Sequence, residues 1–221
     1  MSWDHLDESD VRVRPGRGSR PRTKDRPAHG DALVGMVVTV DRGRYGVRMP
    51  AGTGGRKEPE RTVVAMKARE LGRKGIVVGD DVGLVGDISG HPDALARIVR
   101  VQPRRTVLRR SADDTDPIER VLVANADQLV VVSSLTNPPP RPRLIDRCLV
   151  AAYDAGLKPL LLLTKADLVP AEDFMGLYAP LAVPCVVTSR RPDRPLVGLE
   201  EVRAHLAGRV SVLVGHSGVG K

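Results

Sequence analysis

Seven residues, Gly215, His216, Ser217, Gly218, Val219, Gly220 and Lys221, have the spacing G-x-x-x-x-G-K of a loop that wraps a phosphate chain. Glycines let backbone N–H groups turn inward and ring an anion. The lysine at the end reaches β- and γ-phosphates as a point charge. The Ser or Thr expected next, whose hydroxyl would hold Mg²⁺, lies beyond Lys221, as does the helix whose N-terminal dipole would face the phosphates. A chance glycine-rich turn is the bland alternative. Against it stands the apolar run Val210, Val212, Leu213, Val214, because a strand feeding the loop is the context this chemistry needs.

A second group is Thr164-Lys165-Ala166-Asp167, directly after the apolar run Pro159–Leu163. It matches the [N/T]-K-x-D pattern of GTP-binding proteins. A carboxylate at Asp167 accepts two parallel hydrogen bonds, from guanine N1–H and the 2-amino group, whereas adenine offers no such donor pair. Lys165 lays its methylene stem along the purine. Thr164 ties this loop to the phosphate loop, a task more often given to Asn. Thr188-Ser189-Arg190 comes after the next apolar run and offers a backbone N–H to guanine O6. Asp167 also suits a plain helix cap after a strand. Its place at the carboxyl end of a parallel strand, where open sheets bind ligands, favours the nucleotide. His216 precedes the part of the loop that wraps the phosphates, so no catalytic residue is assigned.

These loops need a parallel sheet beneath them. Leu129–Val132, Pro159–Leu163, Val183–Val187 and Val210–Val214 are buried-type strands, apolar without alternation. Helical segments separate them: one with Leu144, Ile145, Cys148, Leu149 and Ala152 on one face, one at Ala171–Tyr178, one marked by Leu199, Val202 and Leu206. Strands alternating with helices give βαβ units with right-handed crossovers. Upstream the texture differs. Leu33–Val40, Tyr45–Met49, Thr62–Met66, Val82–Val85 and Leu95–Val101 are short strands between turns, which suits a small barrel of OB-fold type. The expected division is a disordered basic tail over 1–31, the barrel over 32–103, a basic connector over 104–116 and the nucleotide domain over 117–221.

The bulk numbers point to a polyanionic partner. The 221 residues carry a formal charge of +8, and only 2% are aromatic, which favours Arg and Lys on phosphates over base stacking. Arg100, Arg104, Arg105, Arg109 and Arg110 form the candidate RNA-contact strip, with a solvated linker as the alternative. The two cysteines, Cys148 and Cys185, read as buried free thiols, and no Cys/His spacing suits zinc. No run is long enough for a membrane span and no signal peptide opens the chain, so a cytoplasmic protein is expected.

The guanine motif precedes the phosphate loop here, the reverse of the usual order, as circular permutation would produce. With it come Val78–Val82 (V-G-D-D-V), Arg105–Arg109, Ala124-Asn125-Ala126-Asp127-Gln128 and Leu144-Ile145-Asp146-Arg147. From about Val34 to Lys221 the sequence resembles the circularly permuted, ribosome-small-subunit-dependent GTPases of RsgA type. The resemblance implies an OB-fold, a permuted α/β P-loop GTPase domain and a C-terminal zinc domain. It implies GTP/GDP and Mg²⁺ as ligands, the 30S subunit and its 16S rRNA as partners, and GTP hydrolysis during late maturation of that particle by a protein that is a monomer when complete. The chain reads as incomplete after the phosphate loop: switch segments, D-x-x-G motif and zinc ligands are absent, and Val210–Val214 becomes an edge strand prone to self-association. The rival reading is a non-catalytic rRNA-binding module with a defective nucleotide site.

Overall fold

The computed structural model describes residues 29–55, 58–72, 75–110, 120–190 and 195–221. The expected basic tail falls almost wholly outside them.

Five strands close a barrel: β1 (Leu33–Asp41), β2 (Arg44–Met49), β3 (Arg61–Lys67), β4 (Asp81–Gly86) and β5 (Ala96–Val101), in the order β1-β2-β3-β5-β4. β1 pairs antiparallel with both β2 and β4, and β3 with β5 is the parallel contact. Alternation places Val37, Val47, Met49, Val63, Ala65, Leu84 and Ile98 inside, each at most 1% exposed. A barrel of this size is filled by its own side chains and leaves no open edge.

The expected connector is not a plain linker. Val107–Arg110 is a strand, β6, paired antiparallel with β7 (Arg120–Ala124). Only Leu108 of β6 is turned into the core, so arginines mask the alternation that marks a strand.

The second unit is a parallel sheet in the order β10-β9-β8-β11. Along the chain it runs β8 (Gln128–Ser134), α1 (Pro142–Asp154), β9 (Lys158–Thr164), α2 (Glu172–Tyr178), β10 (Cys185–Val187), α3 (Leu199–Leu206) and β11 (Ser211–Gly215). β8 is buried at all seven positions. Leu129 and Val131 face α1 and α2 together with Leu161 and Leu163, and Val130 and Val132 face α3 together with Leu160 and Val186. That double burial explains the unbroken apolar runs. α1 buries Ile145, Leu149 and Ala152 along one stripe. Among the described residues β11 pairs only with β8, at the sheet edge, and its Leu213 is exposed. Cys148 and Cys185 are free and half-buried; burial, then the Glu201 carboxylate, pushes the Cys185 thiol up to about 11. No described helix is long and apolar enough to cross a membrane.

The barrel meets the second unit at a polar joint. Asp80 is fully buried and takes Arg104 in a fork: Nε donates to Oδ1 at 2.7 Å and Nη2 to Oδ2 at 2.9 Å. Arg104 also donates to the Gly75 carbonyl, and the Val77 amide donates to Asp80. Asp80 raises the pKa of the Arg104 guanidinium. On the far side Asn125, at φ 56°, donates through Nδ2 to the Gly79 carbonyl and accepts from the Arg105 amide at 2.7 Å. Gly79 permits this approach: a Cβ there would lie 1.8 Å from the Ala124 carbonyl oxygen, and its φ is 89°.

An Asp80→Ala chain leaves Arg104 partly buried without its counter-ion. It should lose about 3–5 kcal/mol of stability in chemical denaturation, with Asp80→Asn losing less. Equal stability of wild type and Asp80→Ala would mean the fork contributes nothing.

Candidate functional site

All three loops singled out from the sequence leave the carboxyl end of the parallel sheet. Register sets this: Val132 of β8 lies opposite Leu162 of β9 and Gly215 of β11, and Ser134 lies opposite Thr164. The loop at Gly215–Lys221 therefore starts two residues below the one at Thr164–Asp167, on strands separated only by β8.

They are bonded to each other. The Thr164 hydroxyl donates to the Val219 carbonyl at 2.6 Å, in a buried setting. Lys165, at φ 65°, donates through Nζ to the Gly218 carbonyl at 3.0 Å and also to the Asn137 carbonyl. The tie expected of Thr164 is thus formed, and Lys165 adds a second. Ala166 donates its amide to the Thr188 carbonyl, and Thr188 is fixed to Leu163 by its own amide and hydroxyl. Asp167 is half-buried, and its Oδ1 accepts the Arg190 amide at 3.0 Å. Ser189 exchanges backbone hydrogen bonds with Val197. The motif around Thr188 and Ser189 is therefore brought against the loop carrying Asp167.

The glycine-rich loop is held from below by an apolar side chain. Val219 is 3% exposed and packs among Val132, Leu162 and Val186. It contributes backbone to the loop, with its side chain spent on anchoring. Gly215 must be glycine, because a Cβ there would sit 2.4 Å from the Val132 carbonyl oxygen. Gly218 and Gly220 have φ of 80° and 90°, a left-handed conformation available to glycine at little cost. Lys221 curls back, donating through Nζ to the Gly215 and His216 carbonyls at 2.8 Å each. His216 Nδ1 lies 2.9 Å from the Ser217 carbonyl oxygen, directed to its own loop.

Two contributors escaped the sequence reading. The Asn137-Pro138-Pro139-Pro140 segment, read as a simple break, forms a wall of the site: Asn137 accepts from Lys165, and a Cβ on Gly218 would lie 3.6 Å from Pro138 Cδ. Asp127 accepts the Val210 amide at 2.7 Å and donates its own amide to the Val210 carbonyl, which fixes the entry of β11. Its place in A-N-A-D-Q, just before an apolar strand, was the available signal.

The arginine strip is distributed. Arg100 is exposed on β5. Arg104 is committed to Asp80 as described, a structural role in place of the expected external contact. Arg105 is exposed, its Nη2 donating to the Asn125 carbonyl and its Nη1 3.5 Å from Asp127. Arg109 is exposed on β6, and Arg110 ends that strand.

Chemically, the assembly places a glycine-rich loop and a lysine beside the Asp167 carboxylate at the carboxyl end of one sheet. Comparison with known proteins agrees with this chemistry. The sequence model of the RsgA GTPase family matches residues 101–221. The "Small ribosomal subunit biogenesis GTPase RsgA" of Chlorobaculum tepidum is 36% identical over 198 residues, covering 86% of this chain and 62% of that protein. The protein of the same name from Azotobacter vinelandii is 46% identical over 132 residues, covering 56% and 36%. The chain thus spans less than two thirds of the length of these relatives. The crystal structure of YjeQ from Thermotoga maritima is similar with a TM-score of 0.61 at 25% identity, covering 86% of this chain and 62% of that one. That of YloQ, a circularly permuted GTPase, has a TM-score of 0.62 at 22% identity, covering 88% and 64%.

Replacing Thr164 by Val keeps the shape and removes the donor to Val219, stranding a buried carbonyl at a cost of about 1–2 kcal/mol. The amides of 217–220 should then exchange with deuterium about tenfold faster, while Thr164→Ser stays close to wild type. Unchanged exchange in Thr164→Val would show that the hydroxyl does not hold the loop.

Proposed function

The chain belongs to the RsgA GTPase family, and on that premise we propose that it binds GTP and GDP and hydrolyses GTP when docked on the small ribosomal subunit, as a late maturation factor of the 30S particle. The observation that carries this reading is the buried bond from Thr164 to Val219, which unites the base-reading and phosphate-wrapping loops into one site.

Each residue then has a task. The amides of Gly215 to Gly220 surround the phosphates, and Lys221 exchanges its two loop carbonyls for phosphate oxygens. Asp167 reads the guanine N1–H and 2-amino group, with its carboxylate already oriented by the Arg190 amide. Lys165 and Ala166 frame the base, and the Ser189 amide, which here donates to the Val197 carbonyl at 3.4 Å, would turn to guanine O6. Mg²⁺, if bound with the nucleotide, would supply charge neutralisation at its phosphates, and no described residue is assigned to hold it. His216 is directed at its own loop, so the attacking water is positioned by groups outside this site. A zinc domain belongs to the same proposal, on the resemblance alone.

The barrel is read as an OB-fold. In support stand its strand order β1-β2-β3-β5-β4, closure through β1 and β4, and the parallel β3–β5 contact. With it go 16S rRNA as the contacted molecule, a cytoplasmic setting and a monomeric state. The division into tail, barrel, connector and nucleotide domain is retained, with the connector ending where β6 begins at Val107.

Calorimetric titration tests the site. GDP should bind and ATP should not. Asp167→Asn should weaken GDP by about 10–150-fold, the worth of a charge-assisted hydrogen bond, and favour the xanthine nucleotide, whose carbonyl meets the new amide donor. RNA binding with no response to any nucleotide would instead favour a binding module with a defective site.

A further inference from the structure

We propose that the outer face of α1, together with β6, is a track for the phosphate backbone of a single RNA strand that ends at the wall of the phosphate loop. This rests on the ribosomal reading above and names a surface for it outside the barrel.

The track is built from two grooves. One, of about 700 Å³, lies between β6 and α1 and is lined by Arg105 and Arg109 from the former side, and by Asp146, Arg147, Val150 and Asp154 from the helix. The second, of about 550 Å³, is lined by Arg141, Arg143, Leu144 and Arg147 at the start of α1. Arg147 lines both. Arg141 further lines a small hollow whose other side includes Gly215, His216 and Val219. Arg147 and Arg141 thus mark a line of arginines from the β6 side toward the phosphate loop.

Spacing produces this. Arg143 and Arg147 are one helical turn apart, on a face away from the Ile145, Leu149 and Ala152 stripe. Arg141, just before α1, and Arg143 and Arg147 within it are exposed, and none of their guanidinium groups is held by a hydrogen bond or ion pair among the described residues. Arg104, by contrast, is spent internally. The acidic groups along the track are Asp146 and Asp154 on the helix and Asp127 beside Arg105; Asp146 also accepts the Tyr178 hydroxyl. Among the described residues, Arg141, Arg143 and Arg147 are the arginines that supply the charge of the track. A planar guanidinium fork suits phosphate oxygens. The exposed apolar surface of Val150 and Tyr153 beside it gives sugars and bases a place to rest.

The test is fluorescence polarisation with a fluorescein-labelled 16-nucleotide single-stranded RNA from 50 to 300 mM KCl, on the whole chain. Replacing Arg141, Arg143 and Arg147 together by Ala should reduce the slope of log K against log [salt] by about two, since each phosphate neutralised on a single strand contributes roughly 0.7. The triple Arg→Lys chain should keep the slope. GDP titration on the same samples should be unaffected by the alanines, so loss of the nucleotide reading and loss of this one are seen separately. Should the alanine chain fail to fold, Arg147→Glu alone, at the position that lines both grooves, should weaken RNA about tenfold at 100 mM KCl. An unchanged slope and affinity in these variants overturns the proposal. So does displacement of the RNA by polyglutamate at equal charge concentration, which would assign the face to an acidic protein segment.

Discussion

The parallel pairing of β8 with both β9 and β11 is the constraint on which the site depends. β8 is buried on both faces and bonded on both edges, so its register transmits to its neighbours without slack. A shift of one residue would turn Leu129 and Val131 from the α1 side to the α3 side, and would separate Thr164 from Val219. Helix packing therefore locks where the two loops emerge, and the Thr164 hydroxyl and the Lys165 ammonium group join them. The loop after β8, with Asn137 and Pro138, completes the wall from that same central strand.

A second dependence lies at the joint. The Gly79 turn of the barrel and the Asn125 turn before β8 touch backbone to backbone, and Arg104 and Arg105 face opposite sides of that contact. Asp127, two residues beyond Asn125, fixes the first bond of β11. Barrel, central strand and phosphate loop thus share one short run of chain, Ala124 to Gln128. Gln128 extends the arrangement, donating to Ser211 and the His205 carbonyl while accepting from Arg209.

Much of this could be read from residues. Unbroken apolar runs gave four strands of one sheet, since burial on both faces removes alternation. The two loops were legible because their motifs need particular residue types at fixed spacing, and Thr164 is bonded to the glycine-rich loop. Boundaries moved by one or two residues at most elements, and β10 begins at Cys185 where a start at Val183 was expected. The β6–β7 ribbon was missed because Val107-Leu108-Arg109-Arg110 has too few apolar residues to show a period, and its strand form comes with its pairing to β7. Arg104 looked like its neighbours in a basic strip. Only the fold reveals that Asp80, twenty-four residues earlier, is sealed beneath it. Long-range ion pairs leave no local trace in a sequence.

The resting position of Lys221 bears on how quickly a ligand is gained and lost. Its ammonium group is already ordered by two carbonyls of its own loop, so the side-chain entropy is lost on folding and little is left to lose at capture. Binding becomes an exchange of neutral acceptors for charged ones. Under the proposed nucleotide reading, the same carbonyls take the ammonium group back when an anion leaves, so the empty loop holds no unpaired charge.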